Sequence, residues 1–390
     1  MRAFSSVFSQ ILKLFSRIEF DKEVRHHRAE RHARGFSCWT QFVAMLFCQL
    51  GRAQSLREIC DGLASTEGKL SHLGIVAPSR STLSYANAHR PWQLFESIFY
   101  TLLERCREIA PKHRFRFKNK LLSLDVTTID LCATLFDWAK FRRAKGGIKL
   151  HLLLDHDGYL PQFAVITDAK TFDIKIARWL DFPRDSILVF DRAYNDFQWF
   201  HDLTERGVFF VTRMKDRTRY EVLRSRPVPD RGGILLDEDI VLVKEFPGID
   251  LIELRRIEIV NPDGGDNLVF ITNHFRFGAT TIAAIYKDRW KVETFFRTIK
   301  QNLRIKTFVG TSRNALHIQI WTALIAILIL RYLQLKASFG WSMSNLVALL
   351  RFNLFAYRDL WHWLDKPFDF PDPVPLDWQQ LSLSQFGQQA

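Results

Sequence analysis

The sequence predicts an α/β protein with a mixed-sheet core, an all-β insertion in that core, a helical N-terminal domain and C-terminal helices. Three observations support this prediction. Residues 1–118 carry apolar side chains at helical spacing. From residue 119 onward, short apolar runs alternate with amphipathic segments, as in sheets flanked by helices. Residues 214–275 contain strand-like runs separated by polar turns, without helical segments between them.

The N-terminal elements are predicted from helical spacing and helix-start signals. Residues 42–50 are apolar at helical spacing, and a capping-box pattern starts a helix over 56–63. A short polar helix over 79–88 precedes Pro91, which suits the first turn of a helix ending near residue 109. Short helices followed by a polar, arginine-bearing helix are typical of a helix-turn-helix, and a structural helical bundle fits the same pattern.

The remaining elements follow from apolar runs and turn signals. The predicted core elements are strand 121–127, strands 148–154 and 160–166 joined by a hairpin, helix 173–180, strand 186–190, helix 195–205 and strand 208–212. The predicted later elements are strands 220–223, 240–245, 251–260 and 268–272, a helix carrying Glu293, and helices 315–335 and 342–350. The predicted domains are 1–118 (helical, basic, DNA-binding), 119–213 and 276–335 (two parts of the core), 214–275 (β insertion) and 336–390 (helices and a Pro/Gln-rich tail).

The most apolar run, residues 321–330, is shorter than a bilayer span and ends at Arg331. We therefore predict a buried helix and no membrane partner. The five cysteines form no CxxC pair, which indicates reduced core residues of a cytoplasmic protein.

The positive charge is concentrated in the N-terminal third. Residues 1–120 carry 20 Lys and Arg against 10 Asp and Glu, whereas the other 270 residues carry 35 against 32. A basic module on a nearly neutral body predicts a polyanion-binding function, with a solubilising surface as the alternative. Arg80, Ser81 and Tyr85 are the candidate DNA contacts in this region.

One segment near residue 290 carries the clearest chemical pattern. On a single helix turning about 100° per residue, Tyr286, Arg289, Glu293 and Lys300 lie within an arc of roughly 60°. Such a face presents a carboxylate between two cations, with a phenol beside them. It is suited to bind a metal ion and a phosphate group together.

Two aspartates complete a candidate metal site. Asp125 lies within one apolar strand, and Asp191 directly follows another. A carboxylate in such a position is costly unless it is paired or bound to metal, although Asp191 alone is also explained as a helix cap. Together with Glu293 they can hold two divalent ions for phosphoryl displacement, and oxygen-only ligands favour Mg²⁺ or Mn²⁺ over zinc. Arg289 and Lys300 would bind phosphate oxygens, and Tyr286 would donate a hydrogen bond to the same phosphate.

These residues resemble a known family. Asp125, Asp191 and Glu293 are similar to the DDE triad of bacterial insertion-sequence transposases, and the spacing Y-x2-R-x3-E-x6-K from Tyr286 to Lys300 resembles the YREK signature of the insertion-sequence-four family. The resemblance covers roughly residues 5–335. It implies an RNase H-like core, cut-and-paste transposition, double-stranded DNA partners (terminal inverted repeats and target DNA), action as a homodimer, and association with the bacterial nucleoid.

The resemblance also implies a hairpin intermediate on the transposon end, and here the sequence departs from some relatives. Those relatives hold a flipped base with a tryptophan of the β insertion, whereas no Trp lies between Trp199 and Trp290. Trp290 matches a second family tryptophan that can stack on a base, and a core-anchoring role is the alternative. Two other functions fit the same residues: an RNase H-like nuclease without strand transfer, and a domesticated DNA-binding protein without catalysis.

Overall fold

The computed structural model describes residues 5–369, except 32, 67, 133, 143–144, 231, 244–251, 263 and 303–307. Residues 370–390 of the predicted tail lie outside the described residues. The helices are α1 (Val7–Leu12), α2 (Arg17–His26), α3 (Cys38–Leu50), α4 (Leu56–Ala64), α5 (Arg80–His89), α6 (Gln93–Glu108), α7 (Asp173–Trp179), α8 (Phe197–Glu205), α9 (Ala279–Asp288), α10 (Trp290–Asn302), α11 (Arg313–Lys336), α12 (Met343–Asn353) and α13 (Leu360–Asp365). The strands are β1 (Leu121–Leu131), β2 (Lys140–Arg142), β3 (Lys145–Asp155), β4 (Leu160–Asp168), β5 (Ile187–Phe190), β6 (Phe209–Arg213), β7 (Tyr220–Ser225), β8 (Ile234–Leu242), β9 (Glu253–Ile259) and β10 (Leu268–Thr272).

The core sheet has the strand order β4–β3–β1–β5–β6. The first three strands pair antiparallel, and β5 and β6 then add in parallel to β1. Helices α7 and α8 provide the crossovers into β5 and β6, as parallel connections require. Three antiparallel strands followed by two parallel ones are the RNase H-like arrangement, so this prediction is confirmed.

The described residues of the predicted β insertion form strands and turns without helices, as predicted, but these strands do not form a detached module. β10 pairs antiparallel with β6 of the core and with β9, and β8 and β7 extend the same sheet. Apolar side chains of both parts share one cluster, which includes Val211, Ile257 and Phe270. β8 begins at Ile234, earlier than predicted, and residues 244–245 of that predicted strand lie outside the described residues.

Helix α11 is the central buried helix of the helical layer. Its length and composition would allow it to cross a membrane, yet 83% of its most apolar 18-residue window is buried. It packs against α3, α5, α6 and α12, so helices from both ends of the chain share one core. The prediction of a buried helix is therefore confirmed.

The connection between α4 and α5 spans residues 65–79. This is much longer than the three- to four-residue turn of a helix-turn-helix. The N-terminal helices therefore form a bundle, which was the alternative interpretation. Of the five cysteines, four are buried as predicted, and Cys132 is exposed.

Candidate active site

The sheet register brings the two predicted aspartates to neighbouring positions. Leu124 of β1 pairs with Phe190 of β5, so Asp125 and Asp191 are the next residues on two adjacent parallel strands. The backbone N–H of Val126 donates to Asp125 Oδ1 over 2.8 Å. The backbone N–H of Ala193 donates to Asp191 Oδ1 over 2.8 Å and caps a short 3₁₀ turn. One carboxylate oxygen of each aspartate is thus held by the local backbone.

Arg289 connects this strand pair to α10. Its Nη1 donates to Asp125 Oδ2 over 2.9 Å, and its Nη2 donates to Glu293 Oε1 over 2.7 Å. The guanidinium is largely buried, so these charge-assisted bonds are poorly screened by solvent. A single planar fork therefore fixes the separation between the carboxylates of β1 and α10.

Asp125 remains only partly compensated by this cation. Burial raises the pKa of Asp125 to about 6, against the lowering effects of Arg289 and the Val126 N–H. The nearby charges of Asp191 and Glu293 raise this pKa further. The ionised carboxylate of Asp125 would therefore be stabilised by additional positive charge in the cleft.

The three carboxylates line one open cleft of about 460 Å³. Lys300 lies at its edge, where its Nζ donates to the Thr128 carbonyl over 3.2 Å. Arg297 also lines the cleft and was not among the predicted site residues, although its spacing of four residues from Glu293 places it on the same helix face. The cleft is lined by Asp125, Val126, Thr127, Asp191, Arg289, Glu293, Phe296, Arg297, Lys300 and Gln301.

Tyr286 is not on the same helix as Glu293, so the prediction of one continuous helix face is wrong. α9 ends at Asp288 and α10 begins at Trp290. At the junction, the Arg289 N–H bonds to the Tyr286 carbonyl and the Val292 N–H bonds to the Arg289 carbonyl, which tightens the turn to three-residue spacing. Arg289 ends this turn with its guanidinium carbon 5.5 Å from the Tyr286 ring centre.

Tyr286 and Trp290 line a second groove of about 800 Å³, and Arg289 lines both this groove and the cleft. Tyr286 is only 7% exposed, packs against Phe270, and has its pKa raised by burial. Trp290 is 56% exposed, so it is not a core-anchoring residue. Arg213 and Gly232 also line this groove, which therefore adjoins the β insertion.

The candidate N-terminal contacts lie apart from the residues that line the cleft. Arg80, Ser81 and Tyr85 are exposed on α5, and Tyr85 stacks on His89 with ring centres 4.1 Å apart. The N-terminal helices nevertheless reach the cleft edge, because Arg52 Nη2 donates to the carbonyl of Gln301 over 3.0 Å.

The donor chemistry of the cleft fits a hard divalent cation, since its three candidate ligands are all carboxylates. Within the described ranges, no three His, Cys, Asp or Glu side chains lie close enough together to hold a metal ion as they stand. Arg289 lies between Asp125 and Glu293 and contacts both. An ion held by these carboxylates would replace contacts that Arg289 now makes.

Two family models match the sequence. Residues 116–329 match "Transposase DDE domain", and residues 4–76 match "Domain of unknown function (DUF4372)". The first match contains all six residues predicted for the catalytic site.

Curated relatives are similar over most of the chain. A putative transposase of Sinorhizobium fredii is 33% identical over 66% of this chain and 72% of its own length. A probable transposase for an insertion sequence element of Geobacillus stearothermophilus is 27% identical over 77% of this chain and 75% of its own length. A putative insertion-sequence transposase of Synechocystis is 24% identical over 73% of this chain and 80% of its own length. A solved piggyBac transposase synaptic complex with hairpin DNA aligns at TM-score 0.47 and 10% identity, over 94% of this chain and 82% of that chain.

Proposed function

Because the chain belongs to the Transposase DDE domain family of insertion-sequence transposases, we propose that it moves its element by cut-and-paste transposition, with Asp125, Asp191 and Glu293 as the catalytic carboxylates. Members of this family act on DNA and depend on divalent metal ions. The observation that carries the proposal is that these three carboxylates, from β1, the end of β5 and α10, line one cleft together with Arg289 and Lys300.

The cofactor is Mg²⁺, with Mn²⁺ as a substitute, because the ligands are oxygens only. Asp125, Asp191 and Glu293 would hold it. When bound, such ions activate the attacking oxygen and stabilise the leaving oxygen of a phosphodiester. Arg289 and Lys300 grip the non-bridging phosphate oxygens, and Tyr286 donates a hydrogen bond to phosphate from the neighbouring groove.

The reaction uses two kinds of phosphodiester step at this cleft, hydrolysis and transesterification. First, water attacks phosphorus at the transposon end, the P–O3′ bond breaks, and a free 3′-OH forms. The second strand of each end is cut through a hairpin, which forms when the freed 3′-OH attacks that strand and which water then opens. Finally, the 3′ oxygen of the transposon end attacks a target phosphodiester, and a target 3′-OH leaves. The exposed ring of Trp290 stacks on a base next to the cleaved bond, which suits a hairpin intermediate.

Wild-type protein with Mg²⁺ and DNA carrying both element ends tests the proposal. We expect double-strand breaks at the ends. Stable binding to end DNA without cleavage under any divalent metal would overturn catalysis and favour a domesticated DNA-binding protein.

Recognition of the terminal inverted repeats resides in residues 1–118, acting in a homodimer that bridges two ends at the nucleoid of the bacterial cytoplasm. The basic charge of this region and the exposed side chains of α5 support this assignment. The division into functional domains at 118, 213, 275 and 335 is part of the same proposal.

Replacing both Arg80 and Tyr85 by Ala is expected to weaken binding to end DNA by about 10- to 100-fold, because a phosphate or base contact and a stacking surface are lost. Fluorescence anisotropy at several salt concentrations measures this change, and the salt slope should fall by about one. Arg184→Ala is the control, because Arg184 is exposed just before β5, at the sheet edge opposite Asp191. Equal affinity of the double variant and wild type would remove α5 from the DNA interface.

A further inference from the structure

Three buried polar side chains that do not line the cleft form a chain of hydrogen bonds. Ser123 Oγ is 2.7 Å from His156 Nε2, and His156 Nδ1 is 2.7 Å from Asp288 Oδ2. The three residues are 0%, 1% and 2% exposed. Buried polar groups are costly unless they form hydrogen bonds, so these two short hydrogen bonds fix the positions of the three side chains relative to one another.

The chain joins the two segments that carry the active-site charges. Ser123 precedes Asp125 by two residues on β1, and therefore faces the same side of the sheet. Asp288 ends α9 and directly precedes Arg289. His156 lies in the turn after β3, where its N–H bonds to the Leu121 carbonyl over 3.0 Å. Strand β1 and the α9–α10 junction are thus tied together through one imidazole.

Every polar atom of the imidazole is used in either protonation state. A neutral ring donates from Nδ1 to Asp288 and accepts the Ser123 hydroxyl at Nε2, whereas a charged ring donates to both. Tyr159 also donates to Asp288 Oδ2 over 3.2 Å, and Arg114 forms an ion pair with Oδ1 at 2.8 Å. Burial alone would raise the pKa of Asp288, but His156, Arg114 and Tyr159 together hold it below its usual value. The contacts of Asp288 with His156, Arg114 and Tyr159 therefore favour its charged form.

A serine, a histidine and an aspartate in this order also form the triad of serine hydrolases. That function is excluded here, because Ser123 is completely buried within β1 and no substrate can reach its hydroxyl. The arrangement instead connects structural elements.

We propose that Ser123, His156 and Asp288 form a positioning bridge that sets Arg289, and through Arg289 the start of α10, against Asp125. This inference rests on the proposed function. The helix breaks at Arg289, so regular helical hydrogen bonding does not by itself fix the direction of α10. Misplacement of about 1 Å can cost about 100-fold in rate at such a site.

His156→Phe tests the bridge, because it keeps a ring in the buried site and removes both hydrogen bonds. We expect cleavage of end DNA, at saturating DNA and Mg²⁺ and per folded molecule, to fall about 100-fold, while the Kd for DNA changes less than about twofold. Ser123→Ala removes one bond and should lower the rate about tenfold. If His156→Phe does not fold, the cleavage rate of Ser123→Ala decides whether the bridge is present.

His274→Phe is the matched control. His274 is also a buried histidine with a backbone hydrogen bond, to the Phe277 N–H, but it follows β10 and lies outside the bridge. The control should cleave at the wild-type rate per folded molecule. A similar loss in control and test variants would show a general effect of removing buried histidines, and would overturn the proposal.

A double-mutant cycle with Arg289→Ala separates positioning from general stability. If the bridge acts through Arg289, His156→Phe should lower the residual rate of Arg289→Ala by less than about twofold. An equal loss in both backgrounds would contradict the bridge. If Ser123→Ala and His156→Phe cleave end DNA as fast as wild-type protein, the bridge is overturned and the proposed function stands. If wild-type protein itself does not cleave, the proposed function is overturned, and the bridge with it.

Discussion

Glu293→Gln is expected to lower Mg²⁺-dependent cleavage of end DNA by about a thousandfold, with end binding changed less than about twofold. The amide keeps the size of the side chain, and its oxygen can still accept the Arg289 hydrogen bond now made at 2.7 Å. It loses the negative charge that a carboxylate ligand supplies to a divalent cation. Cleavage rates and binding isotherms on the same end DNA measure the two effects.

Glu205→Gln is the matched control for this substitution. Glu205 is exposed at the end of α8 and does not line the cleft. We expect wild-type cleavage from the control. Normal cleavage by Glu293→Gln would remove Glu293 from the catalytic set, and loss of DNA binding by the same variant would indicate a folding or binding defect instead.

Asp125→Asn is expected to change activity and stability in opposite directions. Cleavage should fall by about a thousandfold, because the substitution removes a metal ligand charge. The metal-free fold should gain stability at neutral pH, because burial makes the charged form of Asp125 costly and raises its pKa to about 6. Such opposition is expected where a fold keeps an unfavourable charge for function.

The stability gain of Asp125→Asn should depend on pH, because the charge of Asp125 does. The folded pKa of Asp125 lies above its unfolded value, so protonation stabilises the fold fully below about pH 3.8, and this contribution is lost as the pH rises through about 6. The stability advantage of Asp125→Asn over wild type should therefore be larger at pH 7 than at pH 4, by on the order of 2 kcal/mol.

Metal-free chemical denaturation at the two pH values measures the free energies of unfolding. Asp181→Asn is the control, because its side chain is 99% exposed and its substitution should give no comparable pH-dependent gain. An Asp125→Asn advantage that is equal at both pH values would contradict a buried, poorly compensated carboxylate.

The core strands could be predicted from sequence because their signals are local. The strand before Asp191 and the hairpin around residues 155–158 are each formed by residues that are close together in the sequence, so the local pattern is enough to predict them. The pairing of β1 with β5, which brings Asp125 beside Asp191, has no such local signal, and the sequence predicts only that each aspartate lies in or directly after an apolar strand.

The errors arose where tertiary contacts override local pattern. Residues 279–302 have an uninterrupted helical pattern, yet the chain tightens at Arg289, next to Asp288, which is held by His156 and Arg114. The helical spacing of the residues does not reveal this break, so the sequence alone placed Tyr286 and Glu293 on one helix. The pairing of β10 with β6 is likewise a long-range contact that strand periodicity does not encode.

Joining of pre-cleaved transposon ends to target DNA tests the central claim most directly. Wild-type protein with 3′-OH ends, supercoiled target DNA and Mg²⁺ should form joined products. Asp125→Asn, Asp191→Asn and Glu293→Gln should each reduce them by about a thousandfold. Hydrolysis by wild-type protein without any joined product, or normal joining by any of the three variants, would contradict a transposase that works through these carboxylates.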